Sequence, residues 1–201
     1  MAEKVEIRRR ALRDNLIALA EKRIAAEGLA GLRARDLAAE AGCALGAIYT
    51  VFPDMTALTL AVNARTFADL GQDVAEALAQ SPLTPVGQLV TMGLAYHRFA
   101  ASNRNRWRAL FDVPRPAGTK APDWYLSDMA RLFAYIADPV SLVFPEMADT
   151  DRALFTRALF SSVHGIVWLA LDEASAGVPR AETDRMITLL LQQVSGRPLF
   201  I

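Results

Sequence analysis

The chain has 201 residues, 53% of them hydrophobic and 22% charged, enough for one sizeable core or for a small domain joined to a larger one. Its formal net charge is zero, which argues against coating nucleic acid without regard to sequence, and its single cysteine, Cys43, excludes an intrachain disulfide and a multi-cysteine metal site. No unbroken apolar run approaches the roughly 18 residues that cross a bilayer, and the basic first residues lack the apolar core of a signal peptide. The expectation is a cytoplasmic protein with no membrane partner.

Charge is unevenly placed along this neutral chain. Residues 1–35 hold nine Lys/Arg against five Asp/Glu, and the remainder holds 13 against 17. A basic head on an acidic body suits a DNA binder with a separate regulatory domain.

The first predicted element spans 8–27, where Leu12, Leu16, Leu19, Ala20 and Ile24 step by three and four before Gly28. "RARDLAAEA" then gives a short helix with Leu37, Ala38 and Ala41 on one face, stopped by Gly42. "LGAIYTVF" supplies about two further turns, ended by Pro53, which biases Phe52 out of the helix. Three short helices with a glycine turn between the last two make a helix-turn-helix. Longer helices are expected over 54–79, 85–103, 104–112, 123–137, 149–175 and 180–195, separated by the Pro- and Gly-rich breaks "QSPLTP", "DVPRPAGTKAP", "ADPVSLVFP" and "SAGVPR". Asp54 can cap the helix after Pro53, and Asp149 or Thr150 the one after "MA". The fold class is all-α, divided into a head at 1–53 and a larger helical domain at 54–201.

Residues 8–58, with "RDLAAEAG", "GAIYTVF" and the following capped helix, resemble the DNA-binding domain of the tetracycline-repressor (TetR) family of transcriptional regulators. "FSSVHGIVWLALD" is similar to a class of that family's C-terminal domains described by a Trp-His-Gly signature. The resemblance implies a homodimer that binds operator DNA, with Tyr49 on the DNA backbone. Where the family's second helix usually begins with Ser or Thr, this chain has Arg33, which lacks the capping oxygen but can reach a phosphate. Leu45 and Met55 also depart from the family pattern. Backbone N–H groups near Ala44 and Leu45 can meet a phosphate. Leu45, Ala47 and Thr50 then become the base neighbours, their methyl groups suited to the C5-methyl of thymine.

The aromatic residues of the second domain serve first as core, but a regulatory domain also needs an aromatic-walled cavity. Its expected lining is His97, Asn103, Trp107, Phe111, Tyr125, Phe133, His164 and Trp168. Few cations are left to meet an ionic ligand, with Arg98 and Arg131 the exceptions, so the expected effector is a small apolar molecule. Ser161 and Gly165, with Ile187, Leu190, Leu191 and Val194 of the last helix, are expected to form a dimer interface. Two histidines without an HExxH spacing make no metal site, and Ser162 near His164 lacks a nucleophile elbow. No metal, cofactor or catalytic residue is expected. The expected function is a ligand-responsive regulator, a repressor in the first instance. The rival is a small-molecule binding or sequestering protein with a degenerate head.

Overall fold

The computed structural model describes residues 2–80, 84–114, 120–172 and 178–193, all helix, turn or loop with no strand among them. The helices are α1 (Ala2–Glu27), α2 (Ala34–Glu40), α3 (Leu45–Val51), α4 (Met55–Ala79), α5 (Pro85–Ser102), α6 (Arg104–Ala109), α7 (Asp123–Val143), α8 (Asp149–Leu171) and α9 (Thr183–Gln193). Short 3-10 turns at Leu29–Gly31 and Arg180–Glu182 precede α2 and α9. The chain forms two compact units, one from 1–68 with 103–125, the other from 69–102 with 126–201. They interleave along the sequence, so the expected boundary at 53/54 falls inside the first unit.

The first unit is built on the apolar face of α1. Leu16, Ile17, Ala20 and Ile24 meet Leu37 and Ala38 of α2, Ile48 of α3, Phe52, and Leu58, Ala61 and Val62 of α4. Ile48, Leu37 and Leu58 are fully buried, each a side chain whose burial stabilises by about 1.5–3 kcal/mol. Asp54 caps α4 as expected, its carboxylate accepting the Ala57 N–H at 2.7 Å. α6 also belongs here, through Asn105 Nδ2, which donates to the Ala25 carbonyl at 2.9 Å, and the buried Asn63, which donates to the Ala109 carbonyl at 2.8 Å. Glu21 gathers two guanidinium groups, Arg106 at 2.8 Å and Arg65 at 3.1 Å. Helices α1, α4 and α6 are thereby tied through one carboxylate.

In the second unit α9 lies against α5. An added Cβ at Gly93 would fall 2.7 Å from Ile187 Cγ2 and 2.8 Å from Leu191 Cδ1, so the absence of a side chain there lets the two helices approach closely. Ile187 and Leu191 are therefore core residues of the chain itself. The expectation that both face a partner is corrected by that packing.

Two further expectations differ in detail. α7 continues past Asp138 through Pro139 to Val143, although proline lacks the N–H that would bond the Tyr135 carbonyl. Full burial of Val140 and the Ser141 hydroxyl donating to the Asp138 carbonyl at 2.6 Å hold this last turn. Neither Asp149 nor Thr150 caps α8, because the N-cap residue is Ala148 and Asp149 instead pairs with Arg152 at 3.2 Å. α8 reaches a mean hydropathy of 1.4 over its most apolar window, long enough to cross a membrane by composition, because Arg157 breaks the run without offsetting it. Only 33% of that window is buried within the chain.

Candidate functional site

The turn between α2 and α3 is set by Gly42, whose φ of 65° lies in the left-handed region that side chains disfavour. The Cys43 N–H bonds the Ala38 carbonyl at 3.0 Å and the Gly42 N–H bonds the Ala39 carbonyl at 3.2 Å, the paired arrangement of a Schellman C-terminus. Cys43 is half-buried against the head core. α3 then leaves the turn with Ile48 inward and Phe52 buried at its C-terminal end. The Arg13 guanidinium lies 5.1 Å over the Phe52 ring and closes the far side.

What α3 shows to solvent is the set read from the sequence. Leu45 is 39% exposed and Tyr49 49%, Ala44 and Thr50 are exposed, and Ala47 is half-buried. The Thr50 hydroxyl donates to the Ala47 carbonyl at 2.7 Å, which uses its proton within the helix and leaves its methyl group as the outward feature. Arg33 is the exposed N-cap of α2, in extended backbone conformation and without a side-chain cap bond. Its guanidinium makes no ion pair among the described residues.

The eight residues expected to line a ligand cavity fall in both units. Asn103, Trp107, Phe111 and Tyr125 belong to the first, and His97, Phe133, His164 and Trp168 to the second. Trp107 is fully buried and meets Phe111 edge-on at 5.6 Å, while Tyr125 meets Phe67 at 5.2 Å. Asn103 caps α6 by position, without a side-chain cap bond. His97 accepts or shares a proton with Asp184 at 2.7 Å, joining α5 to α9.

The second unit contains a continuous aromatic cluster. The Tyr96 hydroxyl is 2.7 Å from His164 Nδ1, Phe160 stacks on the imidazole at 5.5 Å and 18°, and Trp168 lies on its other side at 5.6 Å. Phe133 of α7 extends the cluster to Phe160 at 5.0 Å. Phe160, His164 and Trp168 share one face of α8 by their spacing of four. Tyr96 and Phe160 carry this cluster without having been among the expected residues; their spacing alone matches any core aromatic. Burial pushes the His164 imidazole below its ordinary value of 6.5, which keeps it neutral and lets the Tyr96 hydroxyl donate to Nδ1.

That shift fixes the sign of a pH effect. An imidazole held neutral in the fold takes up its proton more readily when unfolded, so its contribution is present above 6.5 and is lost as pH falls below it. Thermal unfolding of the wild type is expected to weaken between about pH 7.5 and 5.5. His164→Gln should flatten that slope, and an equal slope in both proteins would remove His164 as its source.

Of the expected interface residues, Ser161 is exposed, Gly165 and Leu190 are half-buried, and Val194 lies outside the described residues. No group of three or more metal-binding side chains occurs among the described residues.

The chain matches two family descriptions. Residues 16–62 match bacterial regulatory proteins of the tetR family, and residues 89–194, more than half the chain, match the tetracyclin repressor-like C-terminal domain. Among solved structures, it is similar to a protein of unknown function from Rhodococcus sp. RHA1, with a TM-score of 0.73 at 22% identity over 92% of this chain and 96% of that one. A tetR-family transcriptional regulator from Streptomyces coelicolor gives 0.65 at 19%, over 92% and 82%. The multidrug binding protein EbrR, in complex with imidazole, gives 0.61 at 18%, over 92% and 96%. Among curated proteins no relative matches. At these identities the structures speak for the fold, and the sequence matches speak for the family. A head with a glycine-turned reading helix and a helical body, each matched by its own family description, make this chain a member of the tetracycline-repressor (TetR) family of transcription regulators, which are not enzymes.

Proposed function

We propose that the protein is a repressor that binds a two-fold operator as a homodimer and leaves it when a largely apolar small molecule binds in the second unit. The observation that carries the reading is the outward surface of α3: Leu45, Tyr49 and Thr50 stand exposed on a helix whose other face is fixed by Ile48 and Phe52. An exposed apolar side chain beside a phenol fits a major groove, where methyl contacts read thymine and a hydroxyl meets the backbone.

The aromatic cluster around His164 is the proposed effector wall, formed by Tyr96, Phe133, Phe160 and Trp168. Aromatic surface with one hydroxyl–imidazole pair suits an apolar molecule carrying a single hydrogen-bonding group. EbrR, which shares the fold, is a multidrug binding protein. Coupling to the head follows the chain, because α5 carries Tyr96 and ends at Ser102, and α6 begins two residues later, anchored to α1 through Arg106, Glu21 and Asn105. A shift of α5 is delivered to the reading head, changing the population of half-site spacings.

A mobility-shift titration with DNA from upstream of the protein's own gene tests the reading. Absence of a shift at physiological salt is the result a sequestering protein would give. Within that assay, Arg33→Ala should weaken binding to all operator variants alike, and should flatten the dependence of log K on log salt by roughly one unit per half-site, one counterion fewer being released. Tyr49→Phe should weaken all variants alike, and Leu45→Ala should reorder their preference. An unchanged salt slope removes Arg33 from the phosphate contacts.

A further inference from the structure

A second, hydrophilic cavity lies wholly within the second unit, between the C-terminal half of α4 and α5, with a volume of about 230 Å3. Each helix gives it one face at helical spacing: Asp73, Glu76, Ala77 and Gln80 from α4, and Ala95, Arg98, Phe99 and Ser102 from α5. Its floor is Ala77, Ala95 and the buried Phe99, and the two alanines leave the gap that larger residues would close.

The charged walls do not satisfy one another. Asp73 and Glu76 stand on one side and Arg98 on the other, yet Arg98 makes no ion pair with either, and Asp73 makes none with any described residue. Glu76 accepts one hydrogen bond, from Gln72 Nε2 at 2.8 Å, which leaves most of its acceptor capacity open. Two carboxylates alone are too few to hold a metal ion, and no larger metal-binding group occurs among the described residues. A molecule carrying both signs of charge would bridge the gap, its carboxylate on Arg98 in the paired geometry a guanidinium offers and its ammonium groups on Asp73 and Glu76. The volume corresponds to about eight water molecules at ~30 Å3 each, the size of an amino acid.

We propose that this groove binds a small amino-acid-like zwitterion with a second ammonium group, matching the one cationic and two anionic side chains. It is separate in lining from the aromatic cluster, so a charged metabolite has a site of its own on a protein whose proposed effector is apolar. Calorimetric titration of the DNA-free wild-type protein with L-lysine tests this, with 1,5-diaminopentane lacking the carboxylate and hexanoate lacking both ammonium groups as paired probes. L-lysine is expected to bind saturably, and each partial probe about tenfold or more weakly, the loss of one charge-assisted contact. Arg98→Met should remove the advantage of L-lysine over the diamine, and Asp73→Asn should weaken L-lysine by a similar factor. Both positions are exposed, so the variants are expected to fold with little change in stability. Absence of saturable heat up to roughly 10 mM, a weak millimolar affinity, overturns the proposal. So does L-lysine binding that survives the Arg98→Met, Asp73→Asn double variant. Because the readout needs no DNA, either result leaves the operator reading to stand or fall by itself.

Discussion

Trp107→Ala is expected to lower stability by about 3–5 kcal/mol, the cost of removing a large aromatic side chain from a closed site, and to abolish DNA binding with it. Trp107 is fully buried, on the six-residue helix α6 that Asn105 and Arg106 fasten to α1. Its neighbour Ala109 belongs to the same core as Ile48 and Phe52, which hold the reading helix. For a chain of this length the melting temperature should fall by about 6–20 °C, at 2–4 °C per kcal/mol. Trp107→Phe keeps much of the volume and should cost far less. The alternative, Trp107 as an effector contact, expects the reverse: a melting temperature held within about 1 °C, with altered effector affinity and intact operator binding. That pattern would return Trp107 to a ligand wall.

The contrast between Trp107 and Trp168 shows where sequence reading stops. Both are tryptophans on helices beyond residue 54, and composition gives no reason to separate them. Trp107 becomes head core because α6 returns to α1 across some 80 positions, through an Asn105 side chain bonding the Ala25 carbonyl. No periodicity encodes a contact at that separation. The helix-turn-helix itself was legible because its signals are local: apolar spacing, a glycine at a left-handed turn and a proline stop all act within a few residues. Pro139 was misleading for the same reason, since a local breaker signal was overridden by burial of Val140. In α9 the apolar arc was correctly located, but periodicity names no neighbour, and Ile187 and Leu191 turn toward Gly93 of α5.

The α8 residues left over by this packing make the dimer reading testable in a way that separates folding from association. Leu154 is 67% exposed and Leu169 45%, and Ala158, Ser161, Ser162 and Gly165 between them follow the same stripe at steps of three and four. Leu189 of α9 is 51% exposed and Leu190 half-buried. An apolar face with small residues at its centre is what a second copy of the same helix can approach closely. A Cβ added at Gly165 meets no atom within 4 Å in the single chain. Gly165→Arg should therefore leave the folded subunit intact, and the exchange of glycine for a better helix former contributes up to about 1 kcal/mol of stability. The same side chain placed in a close helix–helix contact brings volume and an unpaired charge that the partner cannot accommodate. Sedimentation should show a monomer where the wild type is a dimer. Affinity for a two-half-site operator should drop by about 10²–10⁴, the factor lost when two linked contacts become independent, while binding to an isolated half-site stays unchanged. Leu190→Asp should give the same separation of the two measurements. A wild type that sediments as a monomer at micromolar concentration, or a Gly165→Arg protein that remains dimeric, would move the interface off this face of α8.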